Sequence, residues 1–210
     1  GVKIKTNMKL GKNVTIEDLK KQGYAAILLA TGAWKNADLP IPGTDLRGVH
    51  QALDFLKEVK IGGLKRIRGT VAVIGGGNVA FDAARTAVRM GAQKVIVACL
   101  ESREAMPAYD WKVEIAEQEG VGIIGGKLSW TLEDGPDADV PTEVYNVIIA
   151  IGQVPDASFV EGVDLSEDGG FKIDSTTMAT NIEGIFAAGD AVKMPGTIVG
   201  AIAAGHAVAK

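Results

Sequence analysis

The sequence predicts an α/β fold of parallel strands that hold ligands at their carboxyl ends, and three observations predict it. Residues 71–74 are a short apolar run, followed by Gly75-Gly76-Gly77-Asn78-Val79-Ala80, a G-x-G-x-x-A turn that opens a helix. A second apolar run, 94–100, follows that helix and ends at Glu101. Three expected strands end alike, in Ala30-Thr31-Gly32, Ala150-Ile151-Gly152 and Ala188-Gly189-Asp190. Glycine at a strand's carboxyl end lets a ligand approach the backbone, and that edge is where open α/β sheets bind.

The elements follow in order. Thr15 is an expected N-cap with Asp18 in the capping-box position, and Gly23 stops the short helix. Residues 24–30 are almost continuously apolar, which predicts a strand buried on both faces. Pro40-Ile41-Pro42-Gly43 marks a linker. A helix is expected over 49–59, then a solvated basic hinge at Lys60, Lys65, Arg66 and Arg68. Val79, Ala83, Ala84, Ala87, Val88 and Met90 give the next helix its apolar face, and Gly91 ends it. A turn at Pro107 precedes a helix over 110–119, and 121–124 predicts a third parallel strand. Residues 125–141 read as polar turns with one hairpin, and 144–151 as a buried strand. Short strands at 171–173 and 185–187 precede a closing helix from Thr197.

The glycine turn has the pattern of a dinucleotide-binding site. Gly75 allows the tight turn, Gly77 lets a pyrophosphate approach, and Ala80 lets helix pack on strand. Free N–H groups at the helix start favour phosphate charge. Glu101 lies somewhat further from Gly75 than the roughly 20 residues usual for the ribose-binding acid. Its carboxylate can accept hydrogen bonds from a ribose 2′-OH and repels a 2′-phosphate, which favours NAD(H) over NADP(H). Alanine in third place, common in NADP sites, pulls weakly the other way.

Composition excludes several classes. The 210 residues include 47% apolar and 23% charged side chains and carry a net charge of −4, with no run of Lys or Arg. Nucleic acid is not an expected partner, and no apolar stretch is long enough to span a membrane without glycine breaks. The single cysteine, Cys99, cannot form a disulfide within the chain or a C-x-x-C pair; it fits a reducing cytoplasm and is expected to pack on its strand. No metal-ligand cluster stands out. His50 and His206 read as surface or packing residues, and Trp34, Trp111 and Trp130 as packing residues. Asp82 reads as a structural partner of Arg85 or Arg89. The chain starts without Met and stops inside an apolar helical pattern, as expected of a piece of a longer protein.

With these residues placed, the chain resembles the FAD-dependent pyridine nucleotide oxidoreductases. Within that family it is most similar to the small (β) subunit of glutamate synthase and the related electron-input modules of dihydropyrimidine dehydrogenase and electron-bifurcating transhydrogenase. The motifs that carry the resemblance, read in single letters, are YAAILLATGA at 24–33, VIGGGNVA at 73–80, SREAMPA at 102–108, AIGQ at 150–153 and GIFAAGD at 184–190. The resemblance implies a Rossmann-like three-layer NAD(P)-binding domain over 49–180, inserted in a partial FAD-binding domain made of 1–48 and 181–210. It implies that Gly75, Gly77, Asn78 and Val79 form the pyrophosphate turn and that Gly152 faces the nicotinamide half. Thr31 and Gly32 then lie beside the FAD pyrophosphate, Gly189 and Asp190 near its ribityl-phosphate part, and Thr197 and Ile198 near the flavin ring. The family's first FAD glycine fingerprint and the N-terminal cysteines that bind 4Fe–4S clusters in this group are not in these residues, so weak FAD binding is expected.

The implied activity is an NAD(P)H-dependent flavoprotein oxidoreductase. It takes hydride from NADH to FAD and passes electrons to an iron–sulfur partner subunit, with no acid–base catalytic residue. The alternative is a redox-inactive nucleotide-binding sensor or docking module. A disulfide reductase is disfavoured by the absence of C-x-x-C. Two departures matter. Family members that use NADPH usually carry Tyr-Arg-Arg where this chain has Cys99-Leu100-Glu101, although Arg103 remains available to a phosphate. The β-meander before Ala150 is also much shorter, so the electron acceptor need not be that of glutamate synthase.

Overall fold

A computed structural model describes residues 1–126, 144–192 and 196–209. In chain order the elements are α1 (Ile16–Lys21), β1 (Ile27–Leu29), β2 (Lys35–Asn36), β3 (Val49–Gln51) and α2 (Ala52–Lys60). They continue as β4 (Thr70–Ile74), α3 (Asn78–Arg89), β5 (Lys94–Cys99), α4 (Asp110–Gln118), β6 (Gly122–Gly125) and β7 (Asn146–Ile149). The last are β8 (Gln153–Val154), β9 (Ile185–Ala187) and α5 (Ile198–Val208), with a 3-10 turn at Gly189–Ala191. The chain forms two compact units, Gly1–Lys35 with Gln153–Lys210, and Asn36–Gly152.

The middle unit holds a five-stranded parallel sheet in the order β3-β7-β4-β5-β6. Val71, Val73, Val95, Val97 and Ile148 point from it into one core. Ala80, Phe81, Ala83, Ala84 and Ala87 of α3, Phe55 of α2 and Val113 and Ala116 of α4 fill that core. A run of alanines lets α3 lie close on the strands, and Phe81 supplies the bulk. The opposite face carries Ala72, Ile96, Ala98 and Ile149, also buried. The expected hairpin falls largely outside the described residues.

The other unit pairs β1 with β9 in parallel. Ile27, Leu29, Val160, Phe171, Ile185 and Ala187 form its core, with Ile16 of α1. The capping box is present: the Asp18 N–H donates to the Thr15 hydroxyl, and the Thr15 N–H donates to the Asp18 carboxylate. Among the described residues no helix is long and apolar enough to cross a membrane.

Several expectations change. Residues 24–30 were expected to be buried on both faces, yet Leu28 of β1 is 44% exposed, because the core lies on the Ile27 and Leu29 side alone. The helix expected from residue 49 starts at Ala52; Val49–Gln51 is instead an edge strand, held by parallel pairing with Val147–Ile149. Residues 171–173 form no strand; Phe171 makes a single bridge to Leu165 and serves as core. Trp34 and Trp111 are half exposed rather than packed, and Lys9 and Lys112 sit over their rings. Trp130 lies outside the described residues.

The units change over at 35/36 and 152/153, against the expected 48/49 and 180/181. Asn36 explains the first crossing. Its amide donates to Asp54 at 3.1 Å and accepts from the Leu53 N–H at 3.2 Å, so it caps α2 from a distance. Val160 and Phe171 explain the second, since both lie in the β1–β9 core.

Asp82 does not pair with its helical neighbours. Both its oxygens accept from Lys112 of α4 at 2.7 Å, while Arg85 and Arg89 share Glu119 at 2.6 and 2.8 Å. The hydrogen bond from Arg85 is the main cause that holds the Glu119 carboxyl below the usual glutamate range. A depressed carboxylate stabilises the fold above its unfolded pKa and loses that contribution as pH falls through its folded value. Glu119→Gln is therefore expected to cost about 1 kcal/mol near neutrality. Thermal melts of both proteins across acidic pH should converge below the glutamate range; a constant gap would refute the ion-pair account.

Candidate functional site

The carboxyl edge of the five-stranded sheet is where the glycine turn sits. The Gly75 N–H donates to the Ala98 carbonyl, and the Ala150 N–H donates to that of Ile74, both at 2.8 Å. Gly75 has φ +131°, and a Cβ there would collide with the Ala150 carbonyl oxygen. The neighbouring strand's exit, as much as the turn, demands glycine.

Gly77 differs. It is the N-cap of α3 with φ −86°, and a Cβ there would meet nothing within 4 Å. The first turn of α3 has no acidic side chain and no side-chain cap, so the positive end of the helix macrodipole is not compensated within the turn. Ala80 is fully buried against the core and Val79 partly so. The open space at Gly77, beside an uncompensated helix start, suits a phosphate.

Gly76 was not singled out by the sequence pattern, although three successive glycines could have flagged it. A Cβ on Gly76 would lie 3.2 Å from the Glu101 Oε2. The missing side chain therefore makes room for the carboxylate beside the turn. Both ends of the 101–109 loop converge on this turn. The Ala108 N–H donates to the Gly76 carbonyl at 3.1 Å, and the Tyr109 N–H donates to the Asn78 Oδ1 at 3.0 Å. The Asn78 side chain thus holds the loop, leaving its backbone to the turn.

Arg103 points along α4, with Glu117 at 3.4 Å and Asp110 at 3.8 Å. Cys99 is buried; burial first, then the Glu101 charge, pushes its thiol up, so it stays protonated as packing. Gly152, at φ +130°, accepts the Ala37 N–H at 3.0 Å just beyond β7.

The second cluster lies in the other unit. The register Leu29↔Ala187 places Thr31-Gly32 and Gly189-Asp190 at adjacent strand exits. Gly32 and Gly189 both have φ +70°. A Cβ on Gly189 would touch Ala201 of α5 at 3.6 Å, and one on Gly196 would collide with the Asp190 carboxylate. Thr197 caps α5 by accepting the Gly200 N–H at 3.0 Å, with Ile198 next to it and exposed. Thus Thr31, Gly32, Gly189, Asp190, Thr197 and Ile198 belong to one unit, and Gly75, Gly77, Asn78, Val79, Glu101, Arg103 and Gly152 to the other.

Comparison with known proteins gives a consistent set. The profile of the family described as pyridine nucleotide-disulphide oxidoreductase matches residues 1–205. The chain is 34% identical to the NADP(+)-dependent formate dehydrogenase subunit beta of Moorella thermoacetica, over all of this chain and 34% of that one. It is 30% identical to the putative glutamate synthase (NADPH) small chain of Cereibacter sphaeroides, over all of this chain and 60% of that one. The chain therefore spans between about a third and three fifths of these relatives. Among solved structures, Lactococcus lactis thioredoxin reductase matches with a TM-score of 0.65 and 26% identity, over 88% of this chain and 63% of that one.

Proposed function

Because the chain belongs to the pyridine nucleotide-disulphide oxidoreductase family, we propose that it is the nucleotide-accepting part of a flavoprotein that takes hydride from NADH. The electrons pass by way of FAD to a partner subunit carrying iron–sulfur centres. The observation that carries this reading is the Glu101 carboxylate set against Gly76 of an uncapped glycine turn.

Backbone N–H groups of 77–79 bind the pyrophosphate. Glu101 accepts the ribose 2′-OH, and Gly152 leaves room for the nicotinamide half. Thr31, Gly32, Gly189, Asp190, Thr197 and Ile198 hold FAD, with the Asp190 carboxylate accepting from its sugar-alcohol chain. Nicotinamide and flavin supply the hydride chemistry when bound, and the protein supplies orientation and electrostatics. No side chain of these residues need move a proton. The names of relatives, "subunit beta" and "small chain", support an electron-accepting partner. The single cysteine supports a reducing cytoplasm, and 4Fe–4S clusters would be held outside these residues.

The relatives named above carry NADP(H) in their names, whereas the Glu101 carboxylate beside Gly76 stands against a 2′-phosphate here. Two unit charges about 4 Å apart at an effective dielectric near 20 repel by about 4 kcal/mol. That exceeds the roughly 1.4 kcal/mol that corresponds to tenfold in affinity. Arg103, engaged by Glu117 and Asp110, is poorly placed to compensate. NADH should therefore bind at least about tenfold more tightly than NADPH, and Glu101→Arg should narrow or reverse the ratio. Calorimetric titration with both nucleotides checks this; equal affinities in the wild type would rule it out. Anaerobic mixing of NADH with the flavin-loaded intact protein should bleach the flavin absorbance, whereas a persistent flavin spectrum would indicate a nucleotide module without redox activity.

A further inference from the structure

Tyr109 and Trp111 form an exposed aromatic pair where the loop from Glu101 returns to the glycine turn. Their rings are nearly parallel, 12° apart in plane and 6.4 Å between centroids, and each is about half exposed. Such a pair needs a reason, because two adjacent solvated aromatic rings leave apolar area in water. Their placement is fixed. Tyr109 is the N-cap residue of α4, and its N–H donates to Asn78, the first residue of α3. Lys112, bound by both oxygens of Asp82, sits 5.8 Å over the Trp111 ring. Trp111 is thereby braced against α3, and Tyr109 is braced against Trp111. At the other end of the same loop, Glu101 lies against Gly76.

We propose that Tyr109 is the stacking platform for the purine base of the bound dinucleotide. The proposal rests on the reading of Glu101 as the ribose-binding acid. Glu101 and Tyr109 end one loop that meets the glycine turn at Gly76 and at Asn78, so the exposed Tyr109 ring is the aromatic surface this loop offers to a base whose ribose is held at Glu101. Stacking of a base on an aromatic ring depends on the π-face and little on hydrogen bonding. The phenol hydroxyl is then dispensable, while the ring is not.

The test uses the full chain and calorimetry with NADH and with ADP-ribose, which lacks nicotinamide. Tyr109→Ala should weaken both by about tenfold and by the same factor, and Tyr109→Phe should keep wild-type affinity. Tyr109→Leu, apolar but without a π-face, should behave like Tyr109→Ala. Thermal melts confirm that each variant is folded. Unchanged ADP-ribose affinity in folded Tyr109→Ala, or full affinity in Tyr109→Leu, overturns the stacking role and leaves the Glu101 reading intact. A wild-type chain that binds neither ligand overturns both.

Discussion

Gly75→Ala is expected to destabilise the middle unit by about 2–5 kcal/mol and to abolish measurable NADH binding. Two costs add. A side chain at φ +131° is strained by about 1–3 kcal/mol, and the new Cβ collides with the Ala150 carbonyl oxygen, so a backbone segment must shift. That carbonyl belongs to the exit of β7, whose Ala150 N–H bonds to Ile74, so the shift would spread into the centre of the sheet. Gly77→Ala is the paired control. Its φ of −86° suits any residue and its Cβ would meet nothing, so stability should change by less than about 1 kcal/mol. The methyl group would nevertheless occupy the space that a pyrophosphate needs, and NADH affinity should fall at least about tenfold. Denaturant unfolding and calorimetry on both variants separate the roles. A Gly75→Ala protein of wild-type stability, or a Gly77→Ala protein that binds normally, would contradict the assignment.

Phe81→Ala is the second large effect. Phe81 is fully buried, the bulkiest side chain on an inner helix face otherwise built of alanines. Removing it leaves a cavity that alanine neighbours have no spare side-chain atoms to fill, so the cost should lie near the upper part of the roughly 3–5 kcal/mol range. The melting temperature of the middle unit should fall by roughly 10 °C or more. Phe81→Leu should restore most of the loss. A loss under 1 kcal/mol would mean that α3 does not pack as described.

The parts legible in the sequence were those fixed by local pattern. The glycine turn, the α3 face, the Thr15–Asp18 capping box and the short strands β4 to β6 follow from neighbours a few residues apart. The parts missed depend on partners far along the chain. Nothing near Val49–Gln51 marks a strand before a helix; pairing with β7, reached only after three intervening strands, decides it. Asp82 has Arg85 one helical turn away, yet packing of α3 on α4 brings Lys112 closer. Leu28 looked buried because its neighbours are apolar, but only one face of β1 packs on the described core. The same holds at the candidate site. The place of Glu101 followed from the end of the second apolar run, whereas the fixing of Asn78 to Tyr109 and of Arg103 to α4 required the fold.

The loop between β5 and α4 carries a further consequence for how this site can evolve. Glu101 emerges directly from a core strand, and Ala108 and Tyr109 fix the far end through backbone N–H groups that any residue but proline could supply. Between these anchors Arg103 pairs with α4 and Met106 packs on the core, while Ser102, Glu104 and Ala105 are exposed. Leu100 and these exposed residues after Glu101 can therefore be exchanged one at a time with the scaffold unchanged. A lineage could drift between the two nicotinamide donors through a few point substitutions, each intermediate still folded, without rebuilding the sheet.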